Sequence, residues 1–360
     1  MTYDILVVGG GLIGMLTARN LQMEGYNVAL VEKNKLGSAA SWAAGGILSK
    51  LYPWQQSDEM QQLVTQGQAS FPALVEVLKN ETGIDAQLLQ SGMLIIDVAE
   101  QQTALAWAKK NSTPIELLDR KELNQLEPNL DKKFSAALRL PTVMQVRPPL
   151  LIKAVHQSLL KHGVDIFEDA EVTQLVLETS KVVGVKTKQE TMFAEQVILC
   201  NGAWTQQLLT RTSDLKTDIE PVRGQMLLFK PPQNVLSHII IHNGFYLIPR
   251  QDQFLLCGST LEYVGFSRST TQEAKELLHL HACKICPALK EVEVLQHWSA
   301  LRPGTARDVP YISAHPQIEA LYINAGHFRY GIVTSIPSAK IASDLIANKA
   351  NASQISTYAW

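Results

Sequence analysis

Asp4-Ile-Leu-Val-Val-Gly-Gly-Gly-Leu-Ile-Gly14, with Asn27-Val-Ala-Leu-Val-Glu32 after it, decides the fold class. Asp4 to Gly9 is a short run rich in Val and Ile, as in a parallel strand buried on both faces. Met15 to Glu24 is predicted as helix, with Leu16, Arg19, Asn20 and Met23 at helical spacing and Gly25 as its stop. Asn27 to Glu32 is the second strand. Between strand and helix stands Gly9-x-Gly11-x-x-Gly14. Gly9 permits the tight turn, Gly11 lets backbone approach a pyrophosphate, and Gly14 lets the helix pack close to the sheet. The first N–H groups of the helix would face the anion. Glu32, ending the second strand, is placed to accept hydrogen bonds from an adenosine ribose. The unit is Rossmann-like α/β. The motif by itself serves FAD and NAD equally.

The remaining composition narrows the function classes. A chain of 360 residues has room for about two domains at roughly 150 residues each. Its 46% hydrophobic content excludes a disordered or fibrous chain. A formal charge of −2, with no Lys/Arg run longer than two, gives no pull toward nucleic acid or anionic lipid. Four cysteines are too few for a disulfide scaffold and predict reduced thiols in a cytoplasmic protein. Met1-Thr2-Tyr3-Asp4 has no positive side chain, so no secretory leader is expected, and the glycine-broken run that follows is too short to span a bilayer. Neither a Gly-x-Ser-x-Gly elbow nor a phosphate loop of the Gly-x4-Gly-Lys type is present.

Ser38 to Leu51 is small, Gly-rich and apolar, suited to lie flat against a planar ligand. Periodicity predicts helices over 60–80, 101–111, 148–162 and 271–286, the last opened by a Thr270-x-x-Glu273 capping box. Strands are predicted at 165–168, 171–178, 182–188 and 195–202. A second group at 221–229, 246–249, 253–258 and 292–298 suits a mostly antiparallel sheet in a second domain. Ile318 to Asn324 reads as strand, Gly326 to Gly331 as loop, and Val333 onward as a long helix. His279-x-His281-x-Cys283-x-x-Cys286 has the look of a metal cluster, but no second cysteine pair completes it. It reads as a packed helix with buried thiols and no metal.

Seven stretches then occur in order: Asp4 to Glu32, Ser41 to Leu48, Asn201-Gly-Ala-Trp204, Pro221-Val-Arg-Gly-Gln225, Tyr246-x-x-Pro249-Arg250, Trp298-x-x-Leu-Arg-Pro-Gly304 and Gly326-His-Phe-Arg329. Together they resemble the D-amino-acid-oxidase-type FAD-dependent amine oxidases over nearly the whole chain, most closely the glycine-oxidising ones. The resemblance implies a discontinuous FAD domain over 1–86, 142–218 and 303–360, and an α+β substrate domain over 87–141 and 219–302. It implies FAD held by Gly9, Gly11, Leu12, Ile13 and Gly14, by Glu32 and Lys33, and by Ala40, Ser41, Gly45, Gly46 and Ile47. Val172 would meet the adenine, and His327, Phe328, Arg329, Tyr330, Gly331, Ile332 and Val333 would wrap the pyrimidine end of the flavin. The helix beyond that loop would stabilise negative charge near flavin N1.

The same resemblance implies that Arg302, Tyr246 and Arg329 bind substrate. A planar guanidinium suits a carboxylate because it offers two parallel charge-assisted hydrogen bonds. The reaction implied is oxidation of glycine, sarcosine or a small D-amino acid by hydride transfer from Cα to flavin N5, with no side chain acting as base. O2 would reoxidise the flavin to give H2O2. The product imine would give glyoxylate and ammonia or pass to a thiazole synthase of thiamine biosynthesis. A homo-oligomer, a tetramer by the resemblance, is expected. Other readings are a sarcosine oxidase or D-amino-acid dehydrogenase of the same fold, an NAD-dependent dehydrogenase sharing only the first motif, and a flavin-binding protein without turnover. Gly244 and Leu261 depart from a histidine and a methionine found in relatives. No long insertion flanks Tyr246, so no large lid is expected. No cysteine follows Cys286, so the FAD is expected to be noncovalent.

Overall fold

The computed structural model describes residues 2–351 and 356–360. Its strands form two eight-stranded sheets and one short two-stranded pair. In the first sheet β1 (Thr2–Val8) lies between β2 (Val28–Val31) and the strand Thr191–Leu199, parallel to both. Asp165–Phe167 extends one side; Leu321–Ala325 and Tyr311–Ala314 extend the other. All four residues of β2 are buried, the expected state of a central parallel strand.

Helix α1 (Leu12–Met23) starts three residues before the predicted Met15, because Gly11 is already its N-cap. Gly14 therefore lies inside the first turn. A Cβ there would sit 1.9 Å from the Gly9 carbonyl oxygen, so only glycine lets the turn close. Helix α2 (Asp58–Thr82) is longer than the predicted 60–80: the Ser57 side chain caps one end, and Gly83, at φ 72°, terminates the other.

The second sheet is antiparallel apart from one parallel pair. β3 (Glu220–Phe229), β4 (Phe245–Pro249) and β5 (Leu255–Gly258) form its centre, with β3 also paired along its length to an edge strand that follows helix α3 (Gln272–Ile285). That edge strand, β6 (Val294–Gly304), has 11 residues and runs well past the predicted 292–298. The pairing of Ile239–Ile241 with Met93–Ile95, and the strands Ala136–Leu140 and Glu116–Asp119 beyond it, were not predicted. α3 covers one face of this sheet with Leu278, Ala282 and Ile285. The other face, carrying Met226, Tyr246 and Ile248, turns toward Leu51 and the segment that follows the glycine turn.

Thr271, not Thr270, caps α3, its side chain accepting from the Ala274 N–H, and the predicted capping box does not form. Cys283 approaches His279 at 3.8 Å, while Cys286 lies just past the helix end. All four cysteines are unpaired and buried. Among the described residues no group of three or more His, Cys, Asp or Glu could hold a metal, and no helix is long and apolar enough to cross a membrane.

The C-terminal part is fixed by one histidine. Strand β7 (Leu321–Ala325) leads through the loop of Gly326 to Thr334 into α4 (Ser335–Ile346), two residues later than predicted. His327, 2% exposed, bridges these elements. Its Nε2 is 2.9 Å from Asn324 Oδ1 and its Nδ1 2.9 Å from Thr334 Oγ1. Asn324 in turn donates to the Ser338 carbonyl. Burial pushes the His327 pKa down to about 3. Burial lowers His242, His281, His297 and His315 as well.

The folded chain keeps these groups neutral to lower pH than the unfolded chain does, so below about pH 6.5 the unfolded chain binds protons that the folded chain refuses. Their contribution is complete above that pH and is lost as pH falls toward the folded values. Urea titrations should show stability falling from pH 6.5 to 5, with His327 adding a slope of up to about 1.4 kcal/mol per pH unit and the four less buried histidines less. His327→Gln should lower stability at pH 7 and flatten that slope. An unchanged slope would show that His327 is not held neutral.

Candidate active site

A cavity lined by both sheets runs from the glycine turn to Tyr246 and Arg302. At the first end, α1 has no side-chain cap of its own, and the Leu12 N–H is taken by Ser41 Oγ at 2.9 Å. Ile13 and Gly14 then hold the first-turn N–H groups that have no intrahelical acceptor. Glu32 is held rigid: one carboxylate oxygen accepts from the Gly10 N–H at 2.7 Å and the other from the Asn34 N–H at 2.9 Å. Each oxygen keeps a lone pair free, as recognition of vicinal hydroxyls requires. Lys33 lies 3.2 Å from the centroid of the Trp204 ring, and burial lowers its pKa to about 8. This end has the form of an adenosine-diphosphate cradle.

The middle of the wall is the small-residue segment from Ala43 to Ile47. Arg250 fixes it. Its guanidinium donates to the Gly45 carbonyl at 2.7 Å, to the Val146 carbonyl at 3.1 Å and to Gln145 Oε1 at 2.6 Å. Arg250 is thus a buried strut held by three neutral oxygens, its pKa lowered to about 10 by burial.

Arg302 is different. It stands on β6 opposite Val222, and its guanidinium crosses β3 over Gly224, where a Cβ would lie 2.1 Å from Nη1 and 2.2 Å from Nη2. It donates to the Thr260 carbonyl at 3.1 Å and to Ser259 Oγ at 2.6 Å. Two of its five donors are thereby used. Among the described residues no carboxylate forms a salt bridge with it; nearby Glu262 is bound to Arg223. Burial, foremost, lowers its pKa; Tyr246 opposes that shift, and Arg329 adds to it. A cation so poorly compensated is costly unless an anion joins it.

Tyr246 borders the same space. Its ring packs where a Gly258 side chain would be, with Cε2 2.6 Å from that Cβ position, and its hydroxyl lies beside the Arg302 guanidinium and 3.8 Å from Met226 Sδ. A sulfur is a weak acceptor, so the phenol remains free to donate to a better one. The acids of the cavity wall, Glu32 and Glu171, belong to its adenosine end. His327 lines the cavity with both ring nitrogens engaged. Among the described residues no other acid or histidine lines the cavity.

The structure brings nearly all the anticipated residues to one cavity: Gly9, Gly11, Leu12, Ile13, Glu32, Lys33, Ala40, Ser41, Gly45, Gly46, Ile47, Val172, Tyr246, Arg302 and the stretch His327 to Ile332. Gly14 and Val333 stand behind the wall, the first against Gly9 and the second against Gly67 of α2. Met226, Gly224 and Trp204 also line the cavity and were not anticipated as site residues, although the latter two lie within quoted motifs. Their roles come from strand register and ring packing, which the local sequence does not carry.

A family model described as FAD dependent oxidoreductase (DAO) matches residues 4–345. The chain is 37% identical over 350 residues to the glycine oxidase of Pseudomonas aeruginosa, covering 97% of this chain and 96% of that one. A crystal structure of glycine oxidase from Geobacillus kaustophilus superposes with a TM-score of 0.92 at 30% identity, covering 98% of this chain and 96% of that one. A bifunctional protein ThiO/ThiG of Trichormus variabilis is 26% identical, covering 97% of this chain and 53% of that protein. The glycine turn, the Glu32 cradle and these full-length likenesses agree: the chain belongs to the DAO family of FAD-dependent oxidoreductases, and FAD is its cofactor.

Proposed function

We propose that this enzyme oxidises glycine, and also sarcosine and small D-amino acids, with O2 as the electron acceptor. The observation that carries the reading is Arg302, a guanidinium at the cavity wall with donors to spare and no carboxylate of its own. The glycine oxidases among the relatives support the choice of substrate. The balanced reaction is glycine + O2 + H2O giving glyoxylate, ammonia and H2O2. We also assign residues 1–86, 142–218 and 303–360 to FAD and residues 87–141 and 219–302 to substrate.

The cavity residues fit FAD. Glu32 would hold the adenosine ribose, the N-terminus of α1 the pyrophosphate, Ala43 to Ile47 the flat ring system, and the loop His327 to Ile332 its pyrimidine end. FAD supplies a two-electron acceptor, and the side chains orient the substrate beside it. Arg302 takes the substrate carboxylate through its fork, and Tyr246 donates a further hydrogen bond. Arg329 adds positive potential there. Two fixed points on the carboxylate set where Cα lies, and a further contact to the amine or side chain is what discriminates enantiomers; by likeness to the family we assign the D-enantiomer as the one oxidised. The substrate amine must be neutral at oxidation, and no side chain is needed to remove a proton from carbon. The imine formed is a reactive electrophile, and the ThiO/ThiG relative supports its transfer to a thiazole synthase in thiamine biosynthesis. Four unpaired cysteines support a reducing, cytoplasmic setting.

FAD should be held without a covalent bond. Cys200 is the cysteine that lines the cavity among the described residues, and burial pushes its pKa up to about 12, so it is no nucleophile at neutral pH. Acid precipitation should leave a colourless pellet under a yellow supernatant; a yellow pellet contradicts the assignment.

Arg302→Ala should lower kcat/KM for glycine by two to four orders of magnitude, since two charge-assisted bonds contribute about 1.5–3 kcal/mol each. Arg302→Lys should recover little, and Tyr246→Phe should cost roughly tenfold or less. Gly224→Ala should act like a mild Arg302 lesion, with KM for glycine raised at unchanged FAD content. Near-normal turnover in Arg302→Ala, measured on FAD-loaded protein, would place the carboxylate elsewhere.

A further inference from the structure

The Arg302 guanidinium does not rest on its own strand. It reaches across β3 to residues 259 and 260, which leave β5 and run beside β3 on the side away from β6. This flanking segment joins β3 through four backbone N–H groups, one of them the Thr260 N–H donating to the Gln225 carbonyl at 3.4 Å. The Arg223 N–H donates to the Glu262 carbonyl at 2.9 Å, the Glu262 N–H to the Arg223 carbonyl at 3.0 Å, and the Gln225 N–H to Thr260 Oγ1 at 2.9 Å.

The Glu262 carboxylate locks the arrangement. One oxygen accepts from Gln225 Nε2 at 2.9 Å and from the Thr260 hydroxyl; the other accepts from Arg223 Nε at 3.1 Å and from Nη2. Arg223 and Gln225 flank Gly224, the residue over which the Arg302 guanidinium lies. The Arg223 Nη1 is taken by the Ser269 carbonyl at 2.9 Å, so the arginine is satisfied from both sides. Every donor to Glu262 thus comes from β3 or from the segment that carries the Arg302 acceptors.

We propose that Glu262 is a positioning residue for substrate carboxylate. It fixes the Thr260 carbonyl and Ser259 hydroxyl, and through them the plane of the Arg302 fork. The inference rests on the reading of Arg302 as the carboxylate anchor. Its chemistry follows from geometry. A bidentate contact needs the guanidinium plane aligned with the carboxylate, and that plane is set by the two acceptors behind it. Glu262 also places a negative charge near two arginines, Arg223 directly and Arg302 across the strand, and it is a carboxylate that opposes the lowering of the Arg302 pKa. Without it the segment from Ser259 to Glu262 would keep its backbone bonds but lose the side-chain bonds that hold its register against Gly224.

The test uses purified FAD-loaded enzyme and acetate, a carboxylate without an amine, titrated by its effect on flavin absorbance. Glu262→Gln keeps the size of the side chain but turns an NH2 group toward donors. Thr260→Val removes the hydroxyl without changing charge, and covers the case in which Glu262→Gln does not fold. Either variant should raise the acetate Kd and the glycine KM by about tenfold, the scale of one lost hydrogen-bond constraint. FAD content should be unchanged, and kcat should fall less than KM rises. A residue that merely stabilised the fold would shift the melting temperature without this KM-against-kcat split. Unchanged acetate Kd in folded, FAD-loaded variants overturns the proposal. If Arg302→Ala also leaves the acetate Kd unchanged, the anchor reading fails with it; if Arg302→Ala raises it while the Glu262 and Thr260 variants do not, the positioning role alone is overturned.

Discussion

One guanidinium, lying in the space that Gly224 leaves vacant, ties together what the rest of this structure provides. Arg302 is a cation in a largely apolar wall, lining the cavity itself, and the protein gives it two neutral acceptors. Arg250 does not line the cavity, and its three oxygens all belong to the segments it pins together. The contrast separates strut from anchor within one molecule. It also explains why two adjacent strands carry glycines facing the cavity. Gly224 makes room for the Arg302 fork and Gly258 for the Tyr246 ring.

The two sheets divide the chemical labour. The first presents backbone: a helix terminus, a glycine turn and a carboxylate held by main-chain N–H groups, all suited to a large cofactor that must be held without distortion. The second presents side chains, Arg302 and Tyr246, suited to a small charged substrate. Between them the Ala43 to Ile47 segment is pinned by Arg250, so the distance between the two halves of the site is set by a buried contact. The His327 bridge does the same for the loop at the far end. The catalysis by orientation that we propose needs this rigidity.

Much of this was legible in the sequence because it depends on local residues. The strand–turn–helix opening, Glu32 at the end of β2, the long helices and the strands of the second group all follow from glycine spacing and periodicity. The misses share a physical cause. Met93–Ile96 and Ile239–His242 lie far apart in sequence and become strands by pairing with one another. β6 runs on to Gly304 because β3 lies beside it as far as Glu220. The cap of α3 falls on Thr271 rather than Thr270, a choice decided by a single turn of backbone. At the site, Arg302 was readable from its motif. The Thr260 carbonyl, the Glu262 lock and the Gly224 cradle were not, because each depends on the register between strands.

The central claim is that the Arg302 fork receives the substrate carboxylate. The most direct measurement is a crystal structure of the FAD-loaded enzyme with acetate bound. The account predicts both acetate oxygens within about 3.2 Å of Arg302 nitrogens, with the Tyr246 hydroxyl turned from Met226 toward the ligand. Acetate bound in the cavity on other donors, with Arg302 contacting only Ser259 and Thr260, would contradict it.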